Sequence, residues 1–356
     1  MKILYTINGL RVNGMSTVIM QYISILDKCK YKITLMTDEI APQYVEQLAK
    51  SNVNVFSTSN RKRKPIKYYW ELKNLINREK FDVVHAHGNS ATIAVEMLVA
   101  KKCNVPVRIA HSHNTTCKHK ILDKILRPLL YKSYTKAIGC GVEAGEWLFG
   151  KREFDVVKNA VDLEHFKYDV IERDNIRKKL GVDDKVVVGH VGRFTEQKNH
   201  EAILDVFLRY SKSVDALLLL IGDGPRNTFV KNLVKQLGIE DKVIFYGTTE
   251  DTSKLYSAMD IFLFPSKFEG VPLTLVEAQA NGLPCFISDT ISKEVVLTDL
   301  VRVLELRHIE KWNNDIVFDL NIREEESQKA LDILAIAGFD LAKLKNQLEK
   351  MYESDR

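Results

Sequence analysis

The sequence predicts an α/β protein built from two doubly wound parallel sheets, and three observations predict it. Apolar strands run without alternation, helix-length stretches separate them, and the same theme starts again after a break in mid-chain. Continuous apolar strands between helices belong to parallel sheets covered on both faces, since a sheet with one wet face alternates apolar with polar residues. The 356 residues, 45% of them hydrophobic, are enough for two such cores.

In the first half the expected strands are 2–6, 32–36, 53–56, 83–86, 107–111 and 137–140, with helices near 18–26 and 66–76. After a linker near 162–185 the second half runs strand 186–191, helix near 200–210, strand 216–221 and helix near 227–237. It continues with strand 243–246, helix near 252–259, strand 261–264, a helix carrying Glu277 and strand 284–287. The expected domains are therefore 1–165 and 166–339. In the tail, Leu341, Leu344, Leu348 and Met351 share one helical face. Ligands of such sheets bind beyond the carboxyl ends of the strands, so a cleft between two facing domains is the expected site.

Composition excludes several classes. No apolar run approaches the ~20 residues that cross a bilayer. The five cysteines are scattered and form no C-x-x-C, which argues against a disulfide framework or zinc site. The opening stretch is too short for a secretory leader, and a cytoplasmic location is expected. The net charge of +5 hides an asymmetry: residues 1–165 carry 26 Lys+Arg against 15 Asp+Glu, the remainder 26 against 32. A basic half suggests an anionic surface or ligand.

The chemistry concentrates in three loops. Glu269-Gly270-Val271-Pro272-Leu273 leads from a strand into the helix that holds Glu277. A helix start after a glycine turn is an anion site, because free N–H groups and the positive end of the dipole converge there. Carboxylates beside it suit hydroxyl groups rather than phosphate. In Gly192-Arg193-Phe194-x-x-Gln197-Lys198-Asn199, a strand end delivers a planar cation and a point cation five residues apart, able to clamp a diphosphate. Two solvated loop cations would look the same in isolation. Gly222-Asp223-Gly224-Pro225 reads as a tight strand-to-helix turn. It is no dinucleotide fingerprint, because Asn227 stands where the third glycine would be.

The run from Ser266-x-x-Glu269-Gly270-x-Pro272-Leu273 through Glu277-Ala278-x-Ala280-x-Gly282-x-Pro284 resembles the signature of retaining glycosyltransferases of family 4. The resemblance implies a GT-B fold, two Rossmann-like domains facing a central cleft, with the last helix (about 340–356) packed back on the first domain. It implies that Arg193 and Lys198 hold the donor diphosphate, that Glu269 binds a sugar hydroxyl and that Glu277 accepts from the ribose. The backbone from Gly270 to Leu273 would face phosphate, with the N–H groups of Gly270, Val271 and Leu273 as donors around Pro272, which has none, and with Gly222 near the nucleotide and Tyr246 on the strand that reads the base edge. Gly14 would approach the ligand with its backbone, although Asn13-Gly14 replaces the usual Gly-Gly pair.

One histidine near the donor sugar is typical of the family. Here His111 and His113 compete for that role, and His113 is preferred. A metal site drawing on His85 and His87 is a third reading of these histidines, but GT-B transferases use cationic side chains and helix dipoles instead, so no metal or other cofactor is expected. With no carboxylate nucleophile evident, the resemblance implies a front-face route in which the acceptor hydroxyl attacks as the diphosphate departs.

Two basic segments mix cations with apolar residues: Arg61, Lys62, Arg63 and Lys64 before Ile66 and Trp70, and Lys118 to Lys136, including Lys120, Lys124 and Arg127. That is the composition of an interfacial helix, with Pro128 interrupting the second segment. No nucleic-acid module carries this charge. The implied enzyme moves a hexose or N-acetylhexosamine from a nucleotide-sugar, UDP-linked by analogy, to a saccharide acceptor on a polyprenyl diphosphate, in exopolysaccharide or capsule synthesis. Peripheral contact with an anionic membrane is expected. Transfer to protein, teichoic acid or a small molecule, or a GT-B-fold UDP-sugar 2-epimerase, are the alternatives.

Overall fold

The computed structural model describes the whole chain except residues 12, 13, 118, 250, 270, 318–321, 355 and 356. It divides into two units, Met1–Asn159 with Ala342–Arg356, and Ala160–Leu341. The division falls after Asn159 rather than at 165. The reason is local: Val161 donates to the Phe339 carbonyl and accepts from the Leu341 N–H, which ties this stretch to the second unit.

The first unit is a parallel sheet of β1 (Lys2–Thr6), β2 (Lys32–Thr37), β3 (Asn54–Ser57), β4 (Val83–Gly88), β5 (Val107–Ser112), β6 (Lys136–Gly139) and β7 (Asp155–Val156). Its strand order is β3-β2-β1-β4-β5-β6-β7. The central strand β4 is buried along its whole length, its two histidines His85 and His87 included, as a strand covered on both faces must be. The expected 18–26 helix spans Gly14–Ile25, and the 66–76 helix spans Pro65–Glu79, opened by a proline whose missing N–H costs nothing at that position.

The helix Lys120–Tyr131 runs through Pro128 instead of stopping there. Tertiary anchors hold it: Leu130 is buried, and Asp123 accepts the Ala91 N–H at 2.7 Å and the Arg127 guanidinium at 2.8 Å. The C-terminal helix Leu341–Glu353 buries Leu344, Leu348, Met351 and Tyr352. Met351 O accepts from Lys136 at 2.6 Å and Glu353 from the Tyr31 hydroxyl at 2.6 Å, so this helix completes the first unit.

The second unit is a parallel sheet of β8 (Val186–Val191), β9 (Ala216–Ile221), β10 (Val243–Gly247), β11 (Ile261–Phe264), β12 (Cys285–Ser288) and β13 (Val301–Leu304). Its order is β10-β9-β8-β11-β12-β13. The expected linker 162–185 contains a helix, Val170–Leu180, capped by Asp169 and closed by Gly181. The edge strands β7 and β13 are absent from the sequence expectation. The first has two residues, and the second exposes Arg302 and Val303, so neither shows a continuous apolar run.

Both sheets reverse direction once: between β1 and β4 in the first unit, and between β8 and β11 in the second. Crevices beyond the carboxyl ends at such switch points are where doubly wound folds bind ligands. No helix among the described residues is long and apolar enough to cross a membrane.

Candidate functional site

In the second unit the switch point brings three predicted loops together. Gly192 donates to Ile221 O at 3.0 Å and Phe194 to Asp223 O at 3.0 Å, which lays the loop after β8 along the loop after β9. The approach leaves no space for side chains. A Cβ on Gly222, whose φ is +131°, would lie 2.1 Å from Gly192 O, and one on Gly224 would lie 2.6 Å from Phe194 O. Packing therefore requires glycine at both positions, and at Gly222 the backbone conformation requires it as well. On the other side, Lys267 donates to Gln197 O at 2.8 Å, Gln197 Nε2 to Phe268 O at 2.9 Å and Asn199 Nδ2 to Pro265 O at 3.1 Å. The Arg193–Lys198 loop is thus clamped between its neighbours.

This clamp sets Lys198 Nζ 2.8 Å from Glu269 Oε1, with only 14% and 12% of the two side chains exposed. Glu269 Oε1 has no hydrogen-bond partner among the described residues, and its contact with the ammonium is Coulombic. The ammonium also sits 4.4 Å from the centre of the Phe264 ring. Arg193 is exposed, and its side chain has no partner among the described residues.

The helix Leu273–Ala280 opens on Pro272 with no side-chain cap, leaving its first N–H groups unclaimed by any side chain, with Val271 and Leu273 half-buried beside them. Gly270 lies outside the described residues. Glu277 accepts from the Tyr256 hydroxyl at 2.9 Å. Burial pushes its carboxyl up to about 7, against the opposing pull of the Tyr256 hydrogen bond and the Lys198 charge. Tyr246 is half-buried at a register shift between Phe245 and Gly247, a bulge that re-aims a side chain.

Two groups escaped sequence reasoning. Tyr256 holds Glu277 from another helix, and Thr274 Oγ1, in the first turn of the Glu277 helix, is buried without a partner among the described residues. Thr274 lies inside the quoted signature, but nothing in its spacing distinguishes it from its neighbours.

In the first unit, parallel register sets His87 opposite His111 on β4 and β5. His85 and His87 stack at 4.2 Å between ring centres, and His111 and His113 at 4.0 Å. His87 Nδ1 meets His113 Nε2 at 2.9 Å, and His85 Nε2 meets His111 Nδ1 at 3.2 Å. Burial pushes His85 and His113 down to about 3, and His87 and His111 well below the ordinary range, so all four rings are neutral. His85, His87 and His111 each offer a ring nitrogen within 4.8 Å of the others, the one such cluster of possible metal ligands among the described residues. His85 has both nitrogens committed to protein partners, so an ion there would have to displace them.

Beside these rings a cavity of about 500 Å³ is lined by Asn8, Gly9, Arg11, His87, Asn89 and Asn114. Gly14 starts a helix with open space beside it, and among the described residues of this loop Gly9 has a positive φ, +85°. Asn13 lies outside the described residues.

The predicted basic surface separates into two kinds of residue. Arg61 is half-buried in an ion pair with Glu96 and donates to Thr92 Oγ1 at 3.1 Å, and Arg127, also half-buried, is paired with Asp123. Both are internal ties rather than surface cations, because the acidic partners that neutralise them are distant in sequence or turned inward. Lys62, Arg63, Lys64, Lys120 and Lys124 are exposed; Lys118 lies outside the described residues.

Two doubly wound units, the second carrying a cation loop and a glutamate loop at its switch point, define a GT-B glycosyltransferase. Residues 172–327 match the family Glycosyl transferases group 1, and residues 12–165 match Glycosyltransferase Family 4; the chain belongs to this family. EpsF of Bacillus subtilis (strain 168), itself assigned to the glycosyltransferases, is 32% identical over 310 residues, covering 83% of this chain and 80% of that protein. An Escherichia coli enzyme, UDP-Gal:alpha-D-GlcNAc-diphosphoundecaprenol alpha-1,3-galactosyltransferase, is 24% identical over 96% of this chain and 94% of its own. The solved structure of Anabaena HepE in complex with UDP-glucose has a TM-score of 0.77 at 19% identity, covering 99% of both chains.

Proposed function

We propose that this glycosyltransferase is a retaining, metal-independent enzyme that moves a hexose or N-acetylhexosamine from a UDP-sugar to a lipid-linked saccharide in exopolysaccharide synthesis. The observation that carries the reading is the Lys198–Glu269 contact at the switch point, a cation and a hydroxyl acceptor held side by side. Lys198 and Arg193 receive the departing diphosphate, with the uncapped start of the Leu273–Ala280 helix as a further source of positive potential. Glu269 accepts from a sugar hydroxyl and Glu277 from the ribose. The acceptor hydroxyl attacks on the face that the diphosphate leaves, and its proton passes to a phosphate oxygen. His113, or His111 in its place, donates to or accepts from the sugar. UDP is favoured by the UDP-glucose bound to HepE, and a diphospholipid acceptor by the substrate of the galactosyltransferase relative.

Nucleotide release across a panel of UDP- and GDP-sugars, with and without chelator, tests this. Slow hydrolysis of one UDP-sugar, insensitive to chelator and lost in Glu269→Ala, is the expected result. Release that needs added metal, or that survives Glu269→Ala, would sink it.

Membrane contact belongs to the same reading. Ile121 and Ile125 are 79% and 67% exposed on the helix that also carries Lys120 and Lys124. Ile66 and Trp70 are exposed beside Lys62 to Lys64. Each cation near an anionic leaflet adds ~1 kcal/mol, and the isoleucines add apolar insertion. Anionic vesicles are expected to sediment the protein in a salt-sensitive way, and Ile121→Glu with Ile125→Glu to abolish this. Equal binding to neutral vesicles, or none at all, would remove the membrane from the account.

A further inference from the structure

Glu269 is an anion held beside a site for anions. Four residues further on, the Leu273–Ala280 helix starts without a side-chain cap. The Glu269 side chain is 12% exposed, with Oε1 2.8 Å from Lys198 Nζ. That oxygen has no hydrogen-bond partner among the described residues, and Lys198 is the one cation among them within ion-pair distance. The ammonium is shared: it faces the Phe264 ring, and its charge reaches Glu277 and the buried His190 and His200.

A carboxylate oxygen largely removed from water needs a hydrogen-bond donor, and one without it is destabilised. Two ligands that share a diphosphate change this setting in opposite ways. A nucleotide-sugar draws on the Lys198 charge through its phosphates, and its sugar hydroxyls donate to the carboxylate. Both members of the pair then have a partner. A nucleoside diphosphate draws on the same ammonium and brings no hydroxyl to Glu269, because its ribose belongs to Glu277. Its phosphate oxygens then share one cation with a carboxylate that has no other partner. Like charges at such range repel strongly where water is largely excluded.

We propose that Glu269 is a specificity-determining residue that acts against the product: its carboxylate disfavours a nucleoside diphosphate and is compensated only by the hydroxyls of the intact nucleotide-sugar. Transfer of the sugar removes that compensation, so the reaction itself loosens the hold on the nucleotide left behind. The discrimination rests on the glycosyltransferase reading above; the repulsion of a diphosphate by the carboxylate does not. The same side chain thus serves substrate binding and product release without any change of fold.

The test is isothermal titration of UDP, UDP-glucose, UDP-galactose, UDP-N-acetylglucosamine and inorganic pyrophosphate into wild type, Glu269→Gln and Glu269→Ala. Glutamine keeps the shape and removes the charge; alanine removes the side chain and serves if glutamine disturbs folding. Both variants are expected to bind UDP and pyrophosphate about tenfold more tightly than wild type. Whichever UDP-sugar binds wild type should gain nothing, because the substitution also removes the charged acceptor of its hydroxyl. The ratio of UDP to UDP-sugar affinity should therefore shift about tenfold or more towards UDP. A residue that only shapes the loop would weaken every ligand together, and that result would overturn the proposal. So would UDP bound no more tightly by either variant, an equal gain for UDP and UDP-sugar, or wild type that binds UDP and none of the UDP-sugars. If pyrophosphate tightens while no uridine nucleotide binds any form, the donor reading fails and the charge effect stands. Binding of none of the five ligands would remove both.

Discussion

Lys198→Met is expected to lower kcat for nucleotide release by roughly a hundred- to a thousandfold, the cost of removing one preorganised charge from a departing oxyanion. The size follows from the setting. The ammonium is mostly buried, faces an aromatic ring and is held on a loop clamped from both sides, so it reaches the transition state already oriented. Methionine keeps the stem and its packing. It also strands the Glu269 carboxylate, which should cost about 1–3 kcal/mol of stability. The double variant Lys198→Met, Glu269→Gln separates the two effects: thermal stability should return while kcat stays low. A single variant whose kcat stays within a few-fold of wild type would remove Lys198 from the leaving-group role.

Glu277→Gln is expected to make the protein more stable and a poorer binder at the same time. Folded Glu277 keeps its proton up to about pH 7, whereas an unperturbed glutamate releases it near 4.5. Between those values the native state binds more protons than the unfolded state, so stability falls as pH rises. The cost is absent below about pH 4.5 and complete above about pH 7. With some solvent left at the carboxylate, it is on the order of 2 kcal/mol. Glutamine removes it: the variant should match wild type near pH 4.5 and exceed it at pH 8. Donor binding should move the other way. The carboxylate can accept from two ribose hydroxyls, and its loss should raise the donor KM by about a hundredfold. In wild type that KM should fall as pH rises through 7. Denaturant midpoints and KM across this range measure both, and a KM unchanged in Glu277→Gln would take the residue out of the donor site.

Much of this molecule is legible in the chain. The core strands of both sheets were readable because burial on two faces leaves unbroken apolar runs, as in Ala216–Ile221. Of the four edge strands, β3 and β10 were readable as well, whereas β7 and β13 were not, because an edge needs no such run. The loops after β8, β9 and β11 announce themselves through glycine, proline and paired charges at fixed spacing. Arg61 and Arg127 show the opposite case. By composition they are indistinguishable from Lys62 and Lys124, yet Glu96 and Asp123 draw them inward. Pro128 reads as a break, but one missing N–H is a smaller penalty than the anchors around Asp123 and Leu130 can offset.

What the sequence determined by itself is the class of fold, the family and the chemistry-bearing loops, since these depend on local patterns and on motifs contiguous along the chain. The tertiary structure decided which charges are free, which partners hold them and how protons are distributed. Tyr256 reaches Glu277 from another helix, and Tyr352 reaches His85 across 267 positions of sequence. Hydrogen bonds and burial depend on distance in space, and parallel sheets bring together strands that the chain keeps far apart.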